Sequence, residues 1–244
     1  MNTADAAGFH VLEYGEAGGL PLLAADLSPK LPRMSVYLSA GIHGDEPAGS
    51  LALLTLMAQG WFDREIAWHI LPMLNPGGMA AGTRNSPDGI DLNRDYRDNH
   101  AAETVAHKAW LRHAGRVYDA ALSLHEDWEA SGFYLYEMRN GEPAALGWSI
   151  LQSVEAVMPI DRSPEIDGFP AVNGFLRPHA NSSFETMHEW PEQLFLHRDH
   201  TALSYTFETP SSLPLETRVL AQIIAIKTTV NLLLAPRVED AFEI

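Results

Sequence analysis

Residues 34–59 read MSVYLSAGIHGDEPAGSLALLTLMAQ, and this stretch decides the fold. Residues 34–40 are apolar and β-prone and end at Gly41, which is typical of a buried strand that leads into a loop. Residues 47–59 predict a buried helix, because they are predominantly apolar and Pro47 suits a first helical turn. A strand, a loop and a helix therefore open the domain.

The rest of the chain continues this alternation of strands and helices. Apolar periodicity predicts helices at residues 102–117, 143–158 and 215–234 and strands at residues 65–71, 119–124, 133–137 and 203–207. The alternation predicts an α/β fold, a three-layer α/β/α sandwich with a mixed, largely parallel central sheet.

Two polar stretches interrupt the pattern within what we expect to be a single domain of residues 1–244. Residues 75–78, Asn-Pro-Gly-Gly, predict a turn. Residues 159–200 are rich in Pro, Gly, Asn and His and predict a long loop excursion with little regular structure.

The composition excludes several kinds of site. A chain of 244 residues with 46% hydrophobic content can bury the core of one good-sized domain. There are no cysteines, so disulfides, thiolate metal ligands and cysteine nucleophiles are excluded. Residues 1–5 carry no signal-peptide pattern, and no run approaches the roughly 18 apolar residues of a membrane span. We therefore expect a cytoplasmic protein that has no membrane partner.

The charge balance limits the partners. A formal net charge of −16, from 32 acidic and 16 basic residues, argues against binding nucleic acid or an anionic membrane through a basic surface. A preference for cationic substrates fits this charge, and so does an ordinary solvated acidic surface. The charge is consistent with an enzyme and does not identify its substrate.

The strongest local signal for a metal site is Gly-Ile-His-Gly-Asp-Glu-Pro at residues 41–47. Small residues free the backbone around His43 and Glu46, so an imidazole and a carboxylate can meet at one ion. In a chain without cysteine, any metal must use histidines and carboxylates. A surface histidine followed by an acidic residue at a helix start explains the same pattern, so the motif alone leaves both interpretations open.

Two arginines, Arg84 and Arg94, lie in the glycine-rich polar stretch of residues 75–94. Guanidinium groups bind carboxylates bidentately and can stabilise an oxyanion, which suits a substrate-binding loop. The alternative is that the arginines pair with the neighbouring acidic residues, which are Asp91, Asp95 and Asp98.

His125 and Glu208 each follow an apolar run that predicts a strand. Ligand sites of α/β sheets gather beyond the carboxyl ends of the strands, and the loop that carries His43 begins at such an end. A lone histidine at a strand end is often only a core or rim residue, and a lone glutamate there can simply face solvent. The order of these residues along the chain gives them a shared interpretation.

That order resembles the zinc metallocarboxypeptidase superfamily, which also includes aspartoacylase and succinylglutamate desuccinylase. The resemblance covers about residues 36–234. It implies that His43, Glu46 and His125 hold one zinc ion (Zn2+). It also implies that Glu208 is the catalytic glutamate that activates water.

The same resemblance implies the substrate contacts. Arg84 matches the arginine that polarises the scissile carbonyl, and Asn93 and Arg94 match the pair that receives a substrate carboxylate. The implied function is zinc-dependent hydrolysis of an amide bond next to a free carboxylate. The implied substrate is a peptide or an N-acyl amino acid that carries this carboxylate.

Within the superfamily, the short bacterial carboxypeptidases, including the murein peptide amidases, are the most similar branch. They share the patterns Asn-Pro-Gly-Gly at residues 75–78 and Glu-Thr-Pro at residues 208–210. The deacylase branch shares the metal motif and Asp-Leu-Asn-Arg at residues 91–94, so a deacylase similar to aspartoacylase or succinylglutamate desuccinylase is the alternative. A third hypothesis is a zinc-binding module without catalysis, against which the retention of Glu208 and Arg84 speaks.

One feature departs from the superfamily pattern. Carboxypeptidases place a mobile tyrosine over the substrate late in the chain, but residues 137–204 contain no tyrosine. Arg177, His179 and His188 are candidates for its role, and a solvated loop is the alternative for each of them.

The acidic pair Glu126 and Asp127, next to His125, raises the prospect of a second metal ion. The alternative roles of such carboxylates are to orient a ligand histidine or to face solvent. We therefore expect one zinc ion and treat a second one as the minor hypothesis.

Overall fold

The computed structural model describes residues 3–113, 115–141, 146–178 and 187–235. Its strands are β1 (His10–Ala17), β2 (Leu20–Leu27), β3 (Met34–Ala40), β4 (Ile66–Leu71), β5 (Ala120–Asp127), β6 (Tyr134–Arg139), β7 (Glu165–Ile166), β8 (Phe169–Val172), β9 (Phe175–Leu176) and β10 (Leu203–Pro210). Its helices are α1 (Thr3–Ala6), α2 (Pro47–Ala58), α3 (Pro76–Ala81), α4 (Ala102–His113), α5 (Leu146–Glu155), α6 (Glu192–Asp199) and α7 (Leu215–Leu234), with a 3₁₀ turn at Leu92–Arg94.

The described strands form one sheet in the order β1-β2-β4-β3-β5-β10-β6-β9-β8-β7. Its centre is parallel, because β4, β3, β5 and β10 run in the same direction. Antiparallel strands flank this centre, with β1 and β2 on one side and β6 on the other. The prediction of an α/β fold with a mixed sheet is confirmed, and most of the parallel pairing lies in the centre.

Helices cover both faces of the sheet. On one face α2 and α5 pack against α7, and Leu53, Ile150 and Ile226 belong to the core that they share with the sheet. On the other face lie α4 and α6, whose Trp110 and Phe195 belong to a second core. Parallel strands require this arrangement because both of their faces are apolar. The three layers expected from the sequence are therefore present in the described part of the chain.

The helix α7 has the bounds predicted from the sequence, Leu215–Leu234. With a mean hydropathy of 1.3, it is long and apolar enough to cross a membrane by length and composition, so the expectation that no run reaches this limit is wrong. In the structure α7 packs against α2, α5 and β10. Its Ala221, Ile226 and Val230 are buried there.

The turn predicted at residues 75–78 is wrong, because α3 begins there. Oδ1 of Asn75 caps the helix by accepting from the backbone N–H of Gly78 at 2.8 Å, and Pro76 occupies the first turn. Both are signals of a helix start, but two successive glycines obscured them. Glycine is needed for close contact between two loops, since a Cβ on Gly44 would lie 2.0 Å from the carbonyl carbon of Gly78.

The excursion at residues 159–200 contains more regular structure than predicted. It holds α6 and the strands β7, β8 and β9, which extend the sheet beyond β6. Strands of two to four residues are too short to give a periodicity signal. At the opposite edge, β1 and β2 form an antiparallel hairpin that the sequence analysis left unassigned.

Asn75 also ties together the two loops that carry the sequence motifs. Its Nδ2 donates to the carbonyl oxygens of Ile42 and Arg84, both at 3.3 Å, and the residue is fully buried. We expect Asn75→Ala to lower the free energy of unfolding by about 2–4 kcal/mol, because it removes a helix cap, the hydrogen bond to the buried carbonyl of Ile42 and one of the two donors to the carbonyl of Arg84. Urea unfolding monitored by circular dichroism measures this change.

Two further variants separate the contributions of Asn75. Asn75→Asp keeps an acceptor for the Gly78 N–H but turns a carboxylate toward two carbonyl oxygens, so we expect it to be at least as destabilising as alanine. Asn85→Ala removes an exposed hydrogen bond to the Gly89 carbonyl, and we expect a loss of about 0.5 kcal/mol. A loss for Asn75→Ala no larger than that of the Asn85 control would contradict the proposed bridging role.

Candidate active site

The carboxyl ends of three central parallel strands, β3, β5 and β10, lie next to one another at the same end of the sheet. Gly41, with a φ of 63°, turns the chain out of β3 toward His43. His125 lies within β5 and is in register with Glu208 on the neighbouring strand β10. Because β3, β5 and β10 are neighbours in the sheet, these side chains lie at the same end of the sheet although they are far apart in sequence.

His43, Glu46 and His125 form a buried cluster, in which one donor atom from each residue lies within 4.8 Å of the others. Nδ1 of His43 is 2.5 Å from Oε1 of Glu46, and Nδ1 of His125 is 3.1 Å from Oε2 of Glu46. Nε2 of His43 and Oε2 of Glu46 are buried without a well-formed hydrogen bond to the described residues. Two imidazoles and one carboxylate fit a divalent metal ion such as zinc and leave a coordination position open.

These three groups change one another's protonation. Burial alone would raise the pKa of Glu46, but attraction to His125 and hydrogen bonds with both histidines lower it to about 2. Burial alone would lower the pKa of His125, but the charge and hydrogen bond of Glu46 raise it above its ordinary value. The pKa of His43 is also raised against the effect of burial, by hydrogen bonds to Asp91 and Glu46. Without a metal the imidazoles therefore hold protons more tightly than free histidine does.

Glu208 points into the same cleft and is partly buried. Burial raises the pKa of Glu208 well above its ordinary value, and the negative charges of Glu46, Asp127 and Asp167 add to this against the opposing charge of His125. A carboxyl group with a raised pKa can take up and release a proton nearer neutral pH, as a general base or acid must.

Arg84 lines the cleft next to the cluster, with its side chain 43% exposed. Its Nε donates to Oδ2 of Asp91 at 3.2 Å, and its Nη1 lies 3.7 Å from Oε1 of Glu46. The pairing with a neighbouring acid that the sequence left open therefore exists, and Arg84 also borders the metal cluster.

Asp91 is a site residue that the sequence analysis considered only as a partner of the arginines. Its Oδ1 lies 3.4 Å from Nε2 of His43, while its Oδ2 binds Arg84. Asp91 thus connects the arginine loop to the ring of His43 and fixes the orientation of that ring. Its position two residues before Asn93 in the Asp-Leu-Asn-Arg motif was the available signal.

Asn93 and Arg94 lie on the 3₁₀ turn and line the cleft. Oδ1 of Asn93 accepts from the backbone N–H of Glu192 at 2.9 Å, so its Nδ2 remains as the donor side of the amide. Arg94 is 45% exposed, with its Nε 3.6 Å from the exposed carboxylate of Glu189. Its Nη1 donates to the carbonyl oxygen of Asn93 at 2.9 Å. Such a half-exposed guanidinium beside an amide donor can bind a carboxylate of a ligand.

A buried polar network around Glu192, which the sequence did not predict, supports the segment that carries Asn93. The carboxylate of Glu192 accepts hydrogen bonds from Tyr37, Ser39 and Ser123 at 2.6, 2.8 and 2.9 Å. Ser39 and Ser123 are cross-strand partners on β3 and β5. The network anchors the start of α6, and with it the backbone group that orients Asn93.

Glu126 and Asp127 hydrogen-bond to groups outside the cluster of potential metal ligands. Oε1 of Glu126 accepts from the backbone N–H of Ala48 at 2.7 Å, and its other oxygen pairs with Arg218. Asp127 accepts from the hydroxyl of Tyr134 at 2.9 Å. Among the described residues, neither carboxylate belongs to the cluster of potential metal ligands.

The three candidates for the role of the mobile tyrosine differ in position. Arg177 is held by Glu137, with its Nε 3.0 Å from Oε1, and it is not among the residues that line the cleft. His188 is exposed and lines the cleft. His179 lies outside the described residues.

The cleft around these groups has a volume of about 1010 Å³. Its lining also includes Tyr134, Tyr136 and Phe169 together with the carboxylate of Asp167, and Tyr134 is the cross-strand partner of Glu208. The hydroxyl of Tyr136 donates to Oδ2 of Asp167 at 2.7 Å. The cleft lining therefore combines two arginines with aromatic side chains and several carboxylates.

Comparison with known proteins gives a family match. The model of the succinylglutamate desuccinylase/aspartoacylase catalytic domain matches residues 32–165 of this chain. This range includes the three residues of the cluster and the arginine loop, and it ends before Glu208.

Two curated relatives and one solved structure are similar to the chain. Carboxypeptidase SOL1 from Arabidopsis thaliana is 33% identical over 134 residues, which cover 44% of this chain and 26% of that protein. Succinylglutamate desuccinylase from Burkholderia pseudomallei is 38% identical over 100 residues, which cover 38% of this chain and 26% of that protein. The matched part thus spans about a quarter of these relatives' length. A crystal structure of a candidate metallopeptidase from Shewanella amazonensis is 29% identical with a TM-score of 0.78, covering 96% of this chain and 90% of that one.

The cluster predicts a pH effect on the metal-free protein. Because the folded-state pKa values of His43 and His125 are raised, their stabilisation is fully present below the unfolded value of 6.5 and is lost as the pH rises through the folded values. Glu46→Gln removes the charge that contributes to both shifts. We therefore expect wild type to lose stability relative to Glu46→Gln as the pH rises above 6.5 and through the raised pKa values of the two histidines.

The measurement is urea unfolding of both proteins in the presence of EDTA. The carboxylate of Glu46 stays ionised across this range, since its folded pKa is about 2. Histidines elsewhere contribute equally to both proteins and cancel in the difference. A difference between the two free energies of unfolding that does not change with pH would show that Glu46 does not set these pKa values.

Proposed function

The chain belongs to the succinylglutamate desuccinylase/aspartoacylase catalytic-domain family, within the metallocarboxypeptidase superfamily, and from this premise we propose that it is a zinc-dependent hydrolase that cleaves an amide bond next to a free carboxylate. One observation carries the proposal: a buried two-histidine, one-carboxylate cluster shares its cleft with Glu208 and with two arginines. A metallocarboxypeptidase or murein-peptide amidase activity fits this arrangement best.

In this proposal His43, Glu46 and His125 hold one zinc ion. Zinc held there would lower the pKa of a bound water to about 7 and would act as a Lewis acid on the scissile carbonyl. The donor set supports zinc, because both imidazoles and the carboxylate are buried and close together, and Nε2 of His43 and Oε2 of Glu46 lack a well-formed hydrogen bond to the described residues. Asp91 holds the ring of His43 from its Nε2 side.

Glu208 acts as the general base. Its carboxylate takes a proton from the attacking water and later delivers it to the leaving nitrogen. The position of Glu208 beside His125, on the adjacent strand and in register, supports this role. The raised pKa of Glu208 helps the second transfer, because a weaker acid retains the proton until the amine leaves.

The two arginines contact different groups of the substrate. Arg84, next to Glu46, stabilises negative charge that develops on the carbonyl oxygen. Arg94 and the Nδ2 of Asn93 bind the free carboxylate of the substrate. These two contacts select an amide that lies close to a carboxylate, as in the last bond of a peptide.

The size of the cleft favours peptides over small acyl amino acids. A cleft of about 1010 Å³ extends beyond Glu208 to Tyr136 and Phe169, which leaves room for several residues on the acyl side. The family match favours the second candidate, an N-acyl amino acid deacylase similar to succinylglutamate desuccinylase. The two candidates share the metal cluster and differ in what occupies the acyl side.

The role of Glu208 is tested with Glu208→Gln, which keeps the shape of the side chain but cannot accept the proton. We expect kcat to fall by about 10²- to 10⁴-fold, with zinc content unchanged at one equivalent by elemental analysis. The matched control is Glu129→Gln, an exposed cleft residue whose loss should leave kcat unaltered. Protein purified from zinc-containing medium without metal, or wild-type turnover in Glu208→Gln, would disprove the proposal.

The carboxylate contact is tested with Arg94→Ala. We expect kcat/KM for substrates with a free carboxylate to fall by about 10- to 100-fold, the loss of hydrogen bonds to a charged group. The amidated form of the same substrate should be hydrolysed poorly and equally by both proteins. Arg94→Lys should recover only part of the loss, because lysine lacks the planar fork.

A substrate panel separates the two candidates. It pairs short peptides with N-acetyl and N-succinyl amino acids, each with a free carboxylate. Hydrolysis of only the N-acyl amino acids would replace the peptidase by the deacylase. A zinc-loaded protein that hydrolyses neither class would support the hypothesis of a binding module.

A further inference from the structure

Two polar residues lie on α7 among apolar ones and reach the sheet. Arg218 and Gln222 are four residues apart, so they lie one above the other on the same side of the helix. Gln222 is fully buried, and the side chain of Arg218 is only 13% exposed. Both belong to the face of α7 that packs on the sheet rather than to its outer surface.

Gln222 contacts the backbone of the two strands that carry the site. Its Nε2 donates to the carbonyl oxygen of His125 at 2.9 Å and lies 3.4 Å from that of Phe207. His125 is a residue of the metal cluster, and Phe207 directly precedes Glu208. The side-chain amide of Gln222 therefore connects β5 and β10 at the backbone of His125, the proposed metal ligand, and at the residue before Glu208, the proposed base.

Arg218 acts on the next residue of β5. It pairs with one oxygen of Glu126, and the other oxygen of that carboxylate accepts from the backbone N–H of Ala48 at 2.7 Å. Ala48 is in the first turn of α2, directly after the helix start that carries Glu46. These contacts therefore connect α7 through β5 to the start of α2. They link the strand that carries His125 to the helix start that carries Glu46.

Stability alone does not explain these groups. Buried ion pairs are often no more stabilising than apolar residues of the same size. Nε of Arg218 and Oε1 of Gln222 are buried without a hydrogen-bond partner among the described residues, which adds a cost. Apolar residues would fill this helix face at a lower cost but could not hold the carbonyl of His125 or the carboxylate of Glu126.

We propose that Arg218 and Gln222 are positioning residues that fix the spacing between His125 and Glu46, and hence the affinity of the site for metal. The inference rests on the proposed zinc site. Neither residue touches the metal or the substrate; they act through the backbone of β5 and the start of α2.

The test is the dissociation constant for zinc, measured by competition with a chromophoric chelator, together with urea unfolding of the metal-free proteins. The variants are Gln222→Met and the double variant Glu126→Gln/Arg218→Met, which leaves no unpaired buried charge. We expect each to raise the dissociation constant by about 10-fold or more, as loss of groups that orient metal ligands does. The double variant keeps the side-chain oxygen for Ala48, so it should fold even if Arg218→Met alone does not.

The matched control is Arg177→Met. Arg177 pairs with Glu137, another buried carboxylate of the sheet, on the strand β6 and outside the cleft lining. We expect this variant to lose stability in the metal-free form and to keep the wild-type dissociation constant for zinc.

The outcomes distinguish this inference from the proposed function. Folded variants that lose only metal-free stability and bind zinc like wild type would overturn the positioning role and leave the proposed function intact. A wild-type protein that binds no zinc would overturn both. A dissociation constant that rises in Arg177→Met as much as in Gln222→Met would also overturn the inference, because any loss of stability would then produce it.

Discussion

The site depends on one buried carboxylate, that of Glu46, which lies between His43 and His125. A carboxylate that is only 4% exposed is costly unless opposite charges or a metal compensate it. Glu46 lies at the start of α2, and its two partners come from the loop after β3 and from the strand β5. The fold must hold these three elements at fixed distances, and much of the polar interior serves that requirement.

Both helical layers contribute to holding these elements. On one face, the buried carboxylate of Glu192 ties α6 to Ser39 and Ser123 of the sheet, and the backbone N–H of Glu192 orients the side chain of Asn93. On the other face, Gln222 of α7 binds the carbonyl of His125. The metal cluster and the proposed carboxylate contact are therefore supported from opposite sides of the sheet. Polar groups that would weaken an apolar core are found where they fix an element of the site.

The cleft combines opposite charges that the net charge does not reveal. The chain carries a formal charge of −16, yet Arg84 and Arg94 both line the cleft. The carboxylates of Asp127 and Asp167 also line it and contribute to the raised pKa of Glu208. In the proposed function the arginines attract the carboxylate of the substrate, and the neighbouring acidic groups raise the proton affinity of Glu208.

The sequence by itself determined the elements with strong local periodicity. The strand Met34–Ala40 and the helix Leu215–Leu234 have the predicted bounds, because a buried strand and a long helix each show a continuous apolar pattern. For the site, the motif around His43 and Glu46 left two interpretations open, and the resemblance to the superfamily implied that His125 and Glu208 belong with it. The structure brings these four side chains to one cleft.

Only the tertiary structure decided where side chains at ambiguous positions point. The sequence allowed Glu126 to bind a second metal and Arg177 to face the substrate, but Glu126 binds Ala48 and Arg218, and Arg177 binds Glu137. The short strands β7 to β9 and the start of α3 at Pro76 also escaped prediction. Periodicity is a property of neighbouring residues, whereas the partner of a side chain or an edge strand is set by contacts between residues far apart in the chain.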